Sequence, residues 1–573
     1  MKNRFKLVPL AAAAAVVAAA PMTALAFETI EIGDGVALDV RLNLNYTIGQ
    51  RIKKQDPVIL GVAGSNDGDG NFKKNALTTN RLSALLEAKL SKGDTGLVFS
   101  ASSFYDDVYR KANDNDPAAN NPGKVNKPPP YNEFTDEARR YQGGYSRVLD
   151  AYGYTSFDLG SSSRATVRLG RQAVNWGEAM YYPNIAQAQG PFDGTKTGIP
   201  GTETKDSILA EDQLSVAVQV NPNWSLLGQV QFGFHETIAL APGAYMSNSD
   251  AVGPGASCLG PWTSIPAIPG MFSGFTGCSF GLRGDDIRPK DVGQWGIGTR
   301  VRVTDATELG LYYLHFNDRT PLTVINAFTP GTAIPAALQG PFGGIKQIGN
   351  GSYRVRYFDH VNMLAATAST SLGVASVAAE YSYRKGAPVL VNTVVDPTSG
   401  ATMPTPTRAD ISIASVNAMV NVGRTPIAPM TTLIAELSGS QVHKAEAIQA
   451  PGVAALGPAA AFFPASNDLF FQTRSALAYT LQGVLSYPGV VENFDLTIPI
   501  SFAHQLKGRS LVGPTTGGEG DKRVSIGATV VYGGNASLNL TYLGFLGGSD
   551  LMPKTQRLLA DRDQISLNFK YSF

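Results

Sequence analysis

The chain has 573 residues, 43% of them hydrophobic and only 16% charged, with a formal net charge of +1. So neutral a chain gives no electrostatic footing for nucleic acid. No H-E-x-x-H or paired-cysteine motif occurs, the histidines stand singly, and Gly144-Tyr145-Ser146-Arg147-Val148 lacks the second glycine of a nucleophile elbow, so no metal, cofactor or enzyme activity is expected.

In chain order, residues 1–26 read as a secretory signal peptide. Lys2, Arg4 and Lys6 form a positive start, Leu7 to Ala20 an apolar run, and Ala24-Leu25-Ala26 a small-x-small site, with cleavage expected after Ala26. Removing the three cations takes the charge from +1 to about −2. Beyond this point no apolar stretch is long enough for a membrane-spanning helix. The hydrophobic residues of 27–573, read as one domain, are dispersed instead, at a period of two.

Val36, Leu38, Val40, Leu42, Leu44, Tyr46 and Ile48 alternate with polar neighbours, as do Phe494, Leu496, Ile498, Ile500 and Phe502, and finally Ile565, Leu567, Phe569, Tyr571 and Phe573. Alternate side chains of a strand face opposite ways, so each segment has one apolar and one polar face. Many segments reach the length of about 9–11 residues that a membrane-crossing strand needs.

Eighteen strands are expected, beginning near Val36, Asn80, Gly96, Arg147, Arg164, Gln213, Trp224, Gln294, Thr307, Met363, Gly373, Ala409, Ala428, Phe470, Phe494, Lys522, Ala536 and Asp563, with sixteen as the alternative. Short Gly, Asn, Asp and Ser turns such as Asn221-Pro222-Asn223 and Gly533-Gly534-Asn535 alternate with long loops at about 50–79, 107–146, 175–212, 236–293, 318–362, 386–408, 441–469, 507–521 and 548–562. Strict alternation of loop length and an even strand count are marks of an all-β, antiparallel, up-and-down transmembrane barrel with short periplasmic turns. The pattern changes phase around 353–370 and 409–423. Tyr571 and Phe573 are expected to form the C-terminal assembly signal read by the barrel-assembly machinery.

Parity places Asp39, Arg41, Glu87, Lys89, Arg168, Arg300, Arg302, Glu380, Arg384, Glu436, Arg474, Asp495 and Arg523 inside, since a charge facing lipid at mid-depth costs about 2–4 kcal/mol. These residues either pair with one another and stiffen the wall or line a constriction. Their arginine excess favours an anionic or amphipathic solute. The long loops carry apolar residues, including Met271, Phe272, Phe275, Ile325, Phe328, Phe462 and Phe463, which either close a lid over the lumen or capture hydrophobic molecules. Cys258 and Cys278, in one exported loop, are expected to form a disulfide.

Residues 170–184, GRQAVNWGEAMYYPN, together with SSFYDDVY (102–109), LDAYGYTSFDLG (149–160), APGAYMSNSD (241–250), PKDVGQWG (289–296), AAEYSYRKGAPV (378–389) and DRDQISLNFKYSF (561–573), resemble an outer-membrane β-barrel family of unknown function, number 1302. The resemblance follows family order over nearly the whole mature chain, although LTIPISFAH (496–504) fits loosely. It implies the outer membrane of a Gram-negative bacterium, and company in a periplasmic lipid-binding-like protein and an inner-membrane transporter of the resistance-nodulation-division type. It also implies movement of lipids, sterols, terpenes or aromatic compounds. Within the 170–184 motif, Arg171, Asn175, Trp176 and Glu178 are expected either to clamp the loop base through an Arg–Glu pair or to touch solute. A channel for hydrophobic or amphipathic molecules is the leading reading, and a general diffusion porin or a docking platform for a periplasmic partner are the alternatives.

Overall fold

The alternating segments fold as antiparallel strands, and the sheet they make closes on itself. The computed structural model describes residues 29–116, 125–202, 204–340, 346–470, 472–513 and 517–573, so the signal segment ending at Ala26 lies outside the described residues. Eighteen strands form the wall: β1 (Val36–Arg51), β2 (Leu77–Lys92), β3 (Thr95–Asp106), β4 (Ser146–Asp158), β5 (Arg164–Gln172), β6 (Glu211–Asn221), β7 (Trp224–Gln231), β8 (Gln294–Arg302), β9 (Thr307–Phe316), β10 (Val361–Leu372), β11 (Ala375–Asp396), β12 (Ala401–Gly423), β13 (Met430–Ala445), β14 (Ser475–Val491), β15 (Phe494–Lys507), β16 (Lys522–Tyr532), β17 (Ala536–Leu546) and β18 (Gln564–Ser572). Each pairs with its chain neighbour, and β18 returns to β1 in a register running from Asn43 opposite Ser572 to Arg51 opposite Gln564. A short strand, Ile30–Gly33, continues the line of β18 along the foot of β1.

Polarity is inverted relative to a water-soluble protein. Leu97, Ile297 and Leu364 on the outside are more than half exposed, whereas Asn43, Ser100 and Gln213 on the inside are fully buried. A closed sheet leaves no unpaired backbone edge for lipid to meet, and the apolar exterior meets lipid favourably.

The structure departs from the alternating pattern in two places. The span 386–408 is not a long loop: β11 and β12 run for 22 and 23 residues and rise well beyond the membrane as a hairpin, turning at 397–400. On the upper wall the inward residues Val361, Met363, Ala365, Ile411 and Ile413 are buried and apolar, opposite outward apolar residues such as Leu364 and Val416. With both faces apolar, the period-two signal fades where the pattern changes phase.

The external loops pack together above the barrel. Ala251, Ile325 and Tyr353 form one small core with Leu259, Phe280 and Met403 against it; Ala450, Val453 and Phe463 form another beside Phe328. Cys258 and Cys278 are joined, their Cα atoms 5.6 Å apart, as a disulfide requires. Most of the apolar loop residues therefore pack against one another, although Met271 and Phe462 stay exposed.

Candidate functional site: a segment latched across the lumen

The chain between β5 and β6 does not stay outside. Residues 174–189 turn inward, beginning at Asn175, whose Oδ1 accepts from the Gly177 amide at 2.8 Å and tightens the turn. The Trp176 ring stacks on Tyr312 of β9 with centroids 5.7 Å apart, and Trp176, Ile185 and Ala188 cover the apolar patch of the upper wall. Gly296 of β8 provides the seat, because a Cβ there would stand 3.1 Å from the indole. Gln189 Oε1 accepts from the Trp176 amide, Gln231 donates to the Gln189 carbonyl, and Arg300 donates to the Trp176 carbonyl at 3.2 Å.

Two wall carboxylates hold the next turn. Glu380 of β11 accepts from the amides of Glu178 (2.6 Å), Ala179 (3.2 Å) and Ile185 (2.7 Å). Glu436 of β13 accepts from Met180 (2.6 Å), Tyr181 (2.8 Å) and Tyr182 (3.1 Å). Arg384 donates to the Asn184 carbonyl, Asn417 to the Glu178 carbonyl, and the Tyr181 and Tyr182 hydroxyls reach Gln482 and Thr480 of β14.

The segment then returns past β7, where Gln189 bonds Gln229, and past β4, where Arg147 pairs with Asp193, to the other arc of the ring. Gln564 of β18 donates to the Gly198 carbonyl, Thr47 of β1 to the Pro200 carbonyl, and Lys205 pairs with Glu87 of β2 at 2.6 Å and Asp150 of β4 at 3.1 Å. Anchors on β11–β14, on β7 and on β18–β4 are spread round the eighteen-strand ring, so the segment lies within the lumen and is tied to opposite walls. Beneath it two cavities face the periplasmic turns. One of about 650 Å³ is lined by Asp39, Arg41, Glu87, Lys89, Arg168 and Lys205, with Tyr152 and Tyr154; the other, of about 390 Å³, by Glu178, Arg302, Glu308 and Asn417 among others.

Parity put Asp39, Arg41, Glu87, Lys89, Arg168, Arg300, Arg302, Glu380, Arg384 and Glu436 on the inner side, and there they stand. Glu380, Arg384 and Glu436 bind the inserted segment's backbone instead of each other; sequence pattern carries no sign of that partner. The remaining three lie at strand ends, Asp495 and Arg523 with inward parity. Arg474 precedes β14 by one residue and is exposed. Asp495 is the second residue of β15, beside the β14–β15 turn, and accepts from the Gly489 amide at 2.7 Å. Arg523, at the outer end of β16, pairs with Asp521 and lies against Phe545. The expected Arg171–Glu178 pair is absent. Arg171 shares the outward parity of Leu169 and makes a two-pronged bond to Asp212 of β6 at 3.0 and 2.9 Å. Trp176 and Asn175 do brace the loop base.

A closed antiparallel barrel with an apolar exterior and a polar, segment-filled interior is an integral barrel of the outer-membrane kind. The chain belongs to the family described as Protein of unknown function (DUF1302), which it matches over residues 7–573. No curated protein matches it. Among solved structures it is similar to a BenF-like porin from Pseudomonas fluorescens Pf-5 (10% identity, 94% of this chain and 98% of that chain, TM-score 0.42). It is also similar to OccAB1 of Acinetobacter baumannii (9%, 95% and 98%, TM-score 0.41) and to Pseudomonas aeruginosa OccK2 (OpdF) in complex with glucuronate (10%, 94% and 98%, TM-score 0.40). At that level the neighbours speak to neither the cargo nor the mechanism of this chain.

Proposed function

We propose that the protein is a gated outer-membrane channel for amphipathic or hydrophobic molecules. One observation carries this reading: the part of the inner wall that Trp176, Ile185 and Ala188 of the inserted segment cover is apolar. Barrels that pass ions and small polar solutes have polar interiors, whereas Val361, Met363, Ala365, Ile411 and Ile413 offer an oily track once Trp176, Ile185 and Ala188 withdraw. The latch that holds the segment consists of hydrogen bonds to two carboxylates, which can be exchanged for water one at a time without breaking the barrel. Below, the mixed-charge cavities suit the polar end of an amphipath. They open where the periplasmic lipid-binding-like protein and inner-membrane transporter implied by the family resemblance would hand over or receive cargo.

Liposomes carrying the protein should take up a sterol, a fatty acid or an aromatic acid faster than empty ones, and faster still with Glu380→Ala/Glu436→Ala. Uptake equal to controls in both forms sinks the proposal. A general porin predicts steady ion conductance in the wild type, which a crossed lumen opposes.

A further inference from the structure

Four of the five histidines, isolated in the sequence, are gathered by the fold onto one arc of the outer rim. His315 at the end of β9 stacks on Trp295 and faces His360, with 3.2 Å between Nε2 and Nδ1. His443 of β13 bonds Ser412 at 2.8 Å and lies 5.8 Å from the Tyr383 ring; His504 of β15 lies 5.6 Å from Tyr479. Lysines share the same level and the same outward face. The register aligns Asn362, Lys385, Asp410 and Lys444 on β10–β13, and Tyr479, His504 and Lys522 on β14–β16. Lys385, Lys444 and Lys522 are all exposed. The acids facing this belt are Asp410, between two lysines, the exposed Glu446 just above Lys444, Asp359, which Arg408 holds, and Asp521, which Arg523 holds. Cations are in excess.

On the other arc, several polar groups at the strand ends pair with one another. Tyr46 donates to Asn80, Ser103 bonds Ser146, Arg110 lies on Tyr105 while donating to the Gly143 carbonyl, and Arg171 is taken up by Asp212.

We propose that the outward face of β9–β16, just above the apolar band, docks the phosphate-bearing headgroup of an outer-leaflet glycolipid. Its position argues for a lipid over a soluble anion: the belt sits on the side of the wall that meets the membrane, directly above exposed apolar residues such as Tyr381, Leu437 and Leu481 that acyl chains would cover. Lysines beside an anionic surface each add attraction of about 1 kcal/mol, roughly fivefold in binding, and the aromatic rings suit the interface.

The test is native mass spectrometry of the full chain in detergent with a bis-phosphorylated glycolipid and its dephosphorylated form. Wild type should retain the phosphorylated lipid at least tenfold better, and Lys385→Ala/Lys444→Ala/Lys522→Ala should lose about that factor while still migrating as a heat-modifiable barrel. Arg171→Ala, on the other arc, should bind as wild type does. Equal retention of both lipids, or a triple variant that binds normally, overturns the assignment. If the triple variant fails to fold, Lys385→Ala/Lys444→Ala in its place should weaken retention severalfold, and unchanged retention overturns the assignment equally.

Discussion

At the residue scale, Glu380 and Glu436 are the pair on which the arrangement turns. A hydrogen bond to a charged group contributes about 1.5–3 kcal/mol, and each carboxylate accepts three. Glu380→Gln keeps the shape and removes the charge; it should loosen residues 177–185, seen as faster amide exchange there with wild-type exchange in the strands. Gly177→Ala should act through the same carboxylate, since a Cβ at that position stands 2.7 Å from Glu380 Oε2. Glu211 supplies a pH-dependent contact nearby: its hydrogen bond, outweighing burial, raises the His235 pKa above its ordinary 6.5. A raised folded pKa means the stabilisation is whole below about 6.5 and is lost as pH climbs through the raised value. His235→Asn should therefore lower the melting temperature at about pH 5.5 and match wild type at alkaline pH. An equal effect at both would contradict this. Parity of residues around Glu380 and Glu436 made their inward direction legible. Their partners were not legible, because a backbone amide arriving from some 200 residues away leaves no side-chain signature. The outward direction of Arg171 was legible from Leu169 two residues earlier, and the appeal of an Arg–Glu pair within one motif obscured it.

At the scale of elements, turn chemistry located nearly all the strands. Phe494, Lys522 and Ala536 begin strands where expected, because a Gly/Asn-rich turn precedes a clean alternation. Ala409 missed the true start of β12 at Ala401, since strands projecting above the membrane need no lipid-facing side and so lose the pattern that reveals them. The disulfide between Cys258 and Cys278 acts on the external 236–293 loop. Closing about 20 residues contributes roughly 3 kcal/mol in the chain-entropy model, so Cys258→Ser/Cys278→Ser should open the 236–293 loop to protease while the barrel keeps its heat-modifiable migration. Equal protease resistance would show that the small apolar cores hold the loop unaided.

For the whole molecule, inversion of polarity is the organising fact: apolar side chains at every second position face hydrocarbon, and the polar set is free to bind what enters the lumen. The ring supplies rigid, opposed walls, and one segment uses both. The measurement that bears most directly on this account is single-channel recording of the full barrel in planar bilayers, wild type against Glu380→Ala/Glu436→Ala. A segment latched across the lumen predicts a wild type with little steady conductance and a variant with long openings. A wild type that conducts steadily, with the variant indistinguishable from it, would contradict the claim that these two carboxylates keep the channel closed.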